Sequence, residues 1–346
     1  MADIIEEPEF TEPPVFTILV MVVTFLVGVP GNFLVLWITS VKMKRTVNTI
    51  WFWNLAVADI ICCLFLPMSI AQLIFRDWLY GPALCKVIPV IVHLNMFASV
   101  FTLVAISIDR CVLVIRPVWA QNHRSLRMAW VLCAVIWMMA FLMCLPAALY
   151  RKTFTDYNKT SCGYEHDVMS SDPIGSYQYD FNYTFDEGLP TNTEQHHEVY
   201  RIGFTITLTR MIFGFLIPLV IISACYLSLA SKVQHTRFVN VSQKTNKVIL
   251  GIVTVFFITW GPYHVIGMIL LYVQSSLLYS LDDLSIAFAY FNSCVNPILY
   301  VFMGKDMKSR VRRSIHGLME SAFSEEVSRS SERSRSKMTL QDSVAP

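Results

Sequence analysis

Apolar residues in this chain come in blocks, at about residues 15–39, 50–75, 84–115, 126–149, 202–232, 248–273 and 281–302. Each block has the roughly 20 residues a helix needs to cross a bilayer. Within a block the apolar residues run together rather than recurring on one face, which predicts seven membrane helices instead of one large soluble core. Prolines at 67, 146, 218, 262 and 297 fall inside or near the ends of these blocks; membrane helices tolerate them because neighbours re-satisfy the freed carbonyls. The chain shows no internal repeat of the kind that marks many transporters. The third block is distinctive. It opens at Cys85, runs apolar through 87–108, and ends in Asp109-Arg110-Cys111. As a helix, 85–110 is about 37 Å long, enough to cross a core of about 30 Å with both ends near water.

Charge orients the bundle. Lys42, Lys44 and Arg45 follow block one; Arg116, Arg124 and Arg127 follow block three. Lys232, Arg237, Lys244 and Lys247 flank the connection after block five, and Lys305, Lys308, Arg310, Arg312 and Arg313 follow block seven. By the positive-inside rule these four regions are cytoplasmic. The expected fold class is therefore an all-α membrane protein: a seven-transmembrane-helix bundle, N-terminus outside, with a short amphipathic helix after helix seven. Residues 1–14 form an acidic extracellular segment, 15–303 the bundle, 151–201 its long extracellular loop, 304–320 a membrane-surface helix and 321–346 a disordered tail.

Only 15% of the 346 residues are charged, against about 25% in soluble proteins. The net charge of +2 gives no reason to expect nucleic acid. The first 14 residues carry Asp3, Glu6, Glu7, Glu9 and Glu12 and no basic residue, unlike a signal-peptide n-region, so block one is expected to serve as its own insertion signal. Most of the nine cysteines lie inside apolar blocks, where a cysteine is usually a small buried hydrophobe. Cys85 and Cys162 are the two that fall at the outer surface, and in an oxidising compartment they are expected to pair. Asn158-Lys-Thr160 and Asn182-Tyr-Thr184 are usable glycosylation sequons on that side; Asn240-Val-Ser242 falls in a cytoplasmic connection. In the basic segment after block seven, Val311, Ile315 and Leu318 share one face, as in a helix on an anionic lipid surface. Ser324, Ser328, Ser330, Ser331, Ser334, Ser336 and Thr339 in the tail are candidate phosphorylation sites, the alternative being a plain solvated tail.

Several function classes lack their parts. No His-Glu-x-x-His, catalytic aspartate pair or serine–histidine arrangement suggests an enzyme. Residues 281–302 hold no lysine for retinal. No cofactor or metal is called for. The motifs do resemble one family, the rhodopsin-like G-protein-coupled receptors. Gly31-Asn32, Leu55-Ala-Val-Ala-Asp59, Asp109-Arg110-Cys111, Trp130, Pro218 with Tyr226, Phe256 with Trp260 and Pro262, and Asn296-Pro297-Ile-Leu-Tyr300 occur in the family's order on the matching blocks. Two positions depart: Cys111 replaces a tyrosine, and Ser242 stands where some members place a glutamate that holds the arginine. The second departure implies a weaker or different resting latch on Arg110. Ile50-Trp-Phe-Trp-Asn, Cys162-Gly-Tyr164, Thr207-Leu-Thr-Arg210 and the stretch 314–326 resemble the chemoattractant branch, and within it the complement anaphylatoxin receptors. The outer loop, about 50 residues, is shorter than in mammalian members.

The residues support a cationic ligand independently. Carboxylates crowd the N-terminus and the long loop (Asp156, Glu165, Asp167, Asp172, Asp180, Asp186, Glu187, Glu194, Glu198). Such a field steers a basic partner, or is ordinary solvated loop. Tyr164, among these acids, is a candidate for sulfation. Arg210 inside block five costs about 2.5–3.5 kcal/mol, so it faces a cavity or pairs with Asp282 or Asp283. The resemblance implies that Arg151 and Arg210 hold the terminal carboxylate of a peptide ending in arginine while Asp282 takes its guanidinium, with Tyr263, His264 and Tyr290 completing the ligand set. It further implies a polar core around Asp59 (Asn95, Ser99, Asn292, Asn296) holding either sodium or water. Trp260, Phe256, Pro218 and Val100 form the implied packing switch, and Asp109, Arg110, Tyr226 and Tyr300 the G-protein coupling end. The implied partners are a complement anaphylatoxin, a heterotrimeric G protein (inhibitory in this branch), arrestin, receptor kinases and membrane lipids, at the plasma membrane. Sister readings are a receptor for the fifth-component anaphylatoxin or formyl peptides, or a non-signalling decoy; intact Asp109-Arg110 argues against the decoy.

Overall fold

The computed structural model describes residues 14–156, 159–164, 192–235, 243–273 and 275–303. Their elements are α1 (Val15–Trp37) with a π turn (Ile38–Lys42), α2 (Val47–Leu64), α3 (Leu66–Phe75), α4 (Gly81–Ile115), α5 (Pro117–His123), α6 (Leu126–Tyr150), β1 (Arg151–Asp156), β2 (Lys159–Tyr164), α7 (Asn192–Met211), a second π turn (Ile212–Leu216), α8 (Ile217–His235), α9 (Gln243–Ile269) and α10 (Ser276–Met303). Among the described residues, six stretches are long and apolar enough to cross a membrane. The seventh, α10, packs along α9 and α1. The pattern of exposure is that of a membrane bundle: Val220 and Ile258 are each 68% exposed, whereas Thr24, Asn32, Asp59 and Ser99 are buried.

Local chemistry explains the boundaries. Thr46 and Thr49 form a reciprocal capping box at the start of α2, with Thr49 N–H donating to Thr46 Oγ1 at 3.2 Å and Thr46 N–H to Thr49 Oγ1 at 2.8 Å. Ser125 caps α6 by accepting from Met128 N–H at 3.2 Å. Pro67 lacks an N–H, so the second span breaks at Phe65 and restarts as α3. Arg76 ends α3 in the left-handed region, φ 51°. The turn that follows needs Gly81, φ 71°, whose carbonyl accepts from Trp78 Nε1 at 2.7 Å.

The spans differ from the sequence boundaries in several places, the sixth and seventh starting five residues before their blocks, at Gln243 and Ser276. Block two is two helices. Block three begins at Gly81, not 84. The fifth span starts at Asn192, ten residues before its apolar block, and a hairpin occupies the first part of the supposed loop. α4 sits at the centre, against α2, α6 and α8, with Met96, Phe97, Ala98, Val100, Leu103 and Ile106 all buried. It joins one end of the molecule to the other.

Candidate functional site

At the outer end, Cys85 and Cys162 form a disulfide with Cα atoms 5.6 Å apart, tying α4 to β2. The hairpin β1–β2 is held further by Asp77 Oδ1, which accepts from Thr160 N–H at 2.8 Å, and by Trp78 N–H donating to Thr160 O at 2.7 Å. The loop is thus pinned by one covalent and two hydrogen-bonded contacts.

Two cavities lie beneath it. One, of about 170 Å³, sits among the second, third, sixth and seventh spans and is lined by Ser69, His93, Arg151, Tyr263, Asp283 and Tyr290, among others. The other, of about 330 Å³, opens between α4, α6 and α7, with Phe97, Tyr150, Arg201 and Arg210 on its walls. His93 belongs to both and forms the partition. The Pro89 carbonyl, 2.7 Å away, can only accept, so His93 Nδ1 donates; Nε2 is left to accept from the Tyr263 hydroxyl at 3.0 Å. Arg210 donates to the same hydroxyl and lies 4.3 Å over the Tyr263 ring.

The sequence-derived ligand residues therefore divide. Arg151 lines the smaller cavity and donates from Nη2 to the Cys162 carbonyl at 3.0 Å. Arg210 lines the larger one and, of the two readings open for it, faces a cavity; its ion pair with Asp282 or Asp283 is not formed. Asp283 instead meets Arg76 at 4.0 Å, because Arg76 projects from the end of α3 toward α10. Asp283 rather than Asp282 lines the smaller cavity; Asp282 accepts from Ser285 Oγ through its carbonyl at 2.8 Å. Tyr290 shares a hydrogen bond with Ser69 at 3.0 Å inside that cavity. His264 is buried, with neither ring nitrogen partnered among the described residues, against Phe215 at 5.2 Å. The Tyr164 side chain, Asn158, Asn182 and the acids at 165–187 lie outside the described residues.

Below this layer, Trp260 stands 5.7 Å from Tyr263 and 6.0 Å from Phe256, ring to ring; Val100 belongs to the same buried cluster, and Pro218 is buried on α8. Deeper still is the polar core. Asn296 Nδ2 donates to Asp59 Oδ2 at 2.9 Å. Asn95, with its amide turned to suit its neighbours, donates to Asp59 Oδ1 at 3.3 Å and accepts from Ser293 Oγ at 3.1 Å. Asn32 Nδ2 donates to the Ser293 carbonyl at 2.8 Å. The amide oxygens of Asn32, Asn292 and Asn296 are buried without a donor. Ser99, buried, stands one turn below Asn95.

At the inner end, Arg110 is buried, 3.6 Å from Asp109, and donates to Asn48 Oδ1. Arg124 grips Asp109 with two bonds, Nε to Oδ1 at 2.7 Å and Nη2 to Oδ2 at 3.1 Å, and adds a third to Asn48 at 2.7 Å. Arg110 is thus held by Asn48 of α2 and by Asp109, which Arg124 of the α5–α6 connection grips in turn. Ser242, Tyr300's side chain, the segment 304–320 and the tail phosphorylation candidates lie outside the described residues. Tyr226 packs against the core of this layer. Sequence reasoning missed His93, Asn48 and Ser293. A histidine within an apolar block was a usable signal for the first; Asn48 and Ser293 gave none.

The chain matches the 7 transmembrane receptor (rhodopsin family) model over residues 31–184 and 190–300. It is 46% identical over 319 residues to a C3a anaphylatoxin chemotactic receptor of Oncorhynchus mykiss, covering 90% of this chain and 80% of that one. To the C3a anaphylatoxin chemotactic receptor of Homo sapiens it is 35% identical, covering 95% and 94%. That alignment spans 455 positions against the 346 residues here, so more than a hundred have no counterpart in this chain. It is also 38% identical to C5a anaphylatoxin chemotactic receptor 1 of Oryctolagus cuniculus, covering 96% and 88%. The chain belongs to the rhodopsin family of seven-transmembrane receptors: a multi-pass, G-protein-coupled receptor of the plasma membrane and not an enzyme.

Proposed function

We propose that this receptor binds the basic anaphylatoxin C3a, reads its C-terminal arginine and signals through inhibitory G proteins. The observation that carries this is the pairing of Arg151 and Asp283 on one small cavity. A C-terminal arginine presents a carboxylate and a guanidinium on one residue, and a cavity with one cation and one anion on its wall complements both. Arg210 stands behind the Tyr263–His93 partition, where it adds positive potential toward the carboxylate. Asp282, one position from Asp283, is the second candidate for the guanidinium. Truncating one partner of a hydrogen-bonded charge pair costs 2 kcal/mol or more, roughly thirtyfold. Arg151→Ala and Asp283→Asn should each lose at least that much potency in a nucleotide-exchange assay with C3a. A ligand lacking its last arginine should be silent. Unchanged potency in both variants would sink the reading, and a stronger response to C5a or formyl peptide would move the receptor to a sister specificity.

The polar core supports a second role. Asp59, with the donor-less oxygen of its partner Asn296, offers oxygen ligands suited to a small hard cation; sodium is the ion of that class that the resemblance implies, and the resemblance adds Asn292 to the set. Asn95 and Ser99 complete its polar lining. If so, sodium should weaken agonist affinity in the parent receptor and leave Asp59→Asn unaffected, as read by ligand displacement at varied sodium with potassium as the balancing ion. After activation the tail serines and Thr339 would serve receptor kinases and arrestin, and the basic segment at 304–320 would rest on anionic lipid.

A further inference from the structure

The third large cavity, about 320 Å³, is not part of the ligand site or of the polar core. It lies at the inner end, between α2, α4 and α6 and beneath α5. Phe101, Val104, Ala105, Ile108, Met128 and Leu132 make up much of its wall. Its volume is that of a small-molecule site, typically about 300–1,000 Å³. Ile108, Trp119 and Met128 on its rim are 44%, 43% and 42% exposed, an apolar rim at the inner end of the spans that suits an opening toward the cytoplasmic leaflet. An occupant entering there comes from the membrane.

One end is charged. Asp109 and Arg124 both line the cavity. Asp109 is already taken by Arg110 and Arg124. Arg124 spends Nε and Nη2 on Asp109 and Asn48, and its remaining nitrogen, Nη1, has no partner among the described residues. Arg116 and Arg127 stand exposed on the flanking turns of the same region. Asp109 is the one carboxylate among the lining residues and already meets two arginines, so no free negative charge opposes an anion at Arg124 Nη1. An apolar slot with surplus guanidinium donors at its cytoplasmic end calls for one kind of molecule.

We propose that this cavity is a binding site for a single-chain anionic amphiphile, a long-chain fatty-acid carboxylate dissolved in the cytoplasmic leaflet. Its chain fills the slot between α4 and α6, and its carboxylate accepts from Arg124 Nη1. Because the same guanidinium grips Asp109, the headgroup bonds directly to the latch that holds Arg110. The site does not depend on which peptide the outer cavity takes.

The test uses the purified receptor in phosphatidylcholine nanodiscs and a diazirine-bearing oleate analogue. On illumination the label should map to peptides covering 101–112 and 119–132, and unlabelled oleate should displace at least 80% of it. Oleyl alcohol, which has the chain without the charge, should not displace it, nor should added phosphatidylserine. Ala105→Phe, which fills the slot, should cut labelling at least fivefold with its thermal midpoint kept. Equal displacement by the alcohol, displacement by phosphatidylserine, or unchanged labelling in a folded Ala105→Phe receptor would overturn the proposal. Should that variant not fold, the competition arms on the parent receptor decide alone.

Discussion

Tyr263 does three things with one side chain. Its hydroxyl donates to His93 and accepts from Arg210, and its ring carries the Arg210 guanidinium on one face. Phenylalanine would keep the ring and lose both bonds, leaving Arg210 Nη1 and His93 Nε2 with only their own 3.3 Å contact. Hydrogen bonds between membrane helices average about 0.6 kcal/mol and reach about 1.7. Tyr263→Phe should therefore cost about 1–3 kcal/mol of stability, seen as a lowered thermal midpoint, while Arg210→Ala in that background should cost little more. Additive losses in that double variant would disprove the coupling. Arg210 was legible in the sequence because it interrupts an apolar block, and Arg151 and Asp282 because they stand at the ends of blocks. The division of labour between Asp282 and Asp283 was not: adjacent residues on a helix differ by about 100° in direction, and only the packing of α10 against its neighbours selects one.

Among the elements, α5 and its flanks matter out of proportion to their length. Seven residues place Arg124 where it can reach back to Asp109, fifteen positions earlier, and to Asn48 at the start of α2. Nothing in local spacing foretells a three-way contact between separate turns. The family motif made Asp109 and Arg110 visible, while their partners needed the fold. Removing the Arg124 bonds should free Asp109 and loosen Arg110. Partly exposed ion-pair networks contribute about 1 kcal/mol, so Arg124→Gln should raise agonist-free nucleotide exchange roughly fivefold by shifting the population toward the open state. Basal exchange at the parent level would show that the latch lies elsewhere. The outer start of the fifth span was illegible for a different reason. Residues 192–201, Asn-Thr-Glu-Gln-His-His-Glu-Val-Tyr-Arg, are too polar to be read as membrane, yet they continue the helix beyond it.

Across the whole molecule, the seven-block pattern carried the fold because a bilayer leaves the backbone few choices. The bundle is closed at the outer end by the Cys85–Cys162 bond, which spans 77 positions of chain. Losing a native disulfide typically costs about 2–5 kcal/mol. Cys85→Ser should lower the thermal midpoint and abolish peptide binding, since Arg151 on β1 bonds to the Cys162 carbonyl; a variant with parent affinity would show that the hairpin holds without its tether. The π turn at 212–216 has a longer reach than its five residues suggest. Arg210 and Tyr226 are sixteen positions apart, and on an uninterrupted α-helix they would point about 160° away from each other. A π turn takes up one extra residue, which turns the lower half back and leaves them about 60° apart. That one residue sets the phase between the half of helix five that meets the ligand cavities and the half that meets the G-protein end. Deleting one residue there would give a plain α-helix with its two halves still in phase, whereas closing the π turn into α-helix with all its residues kept would swing one end about 100° toward lipid.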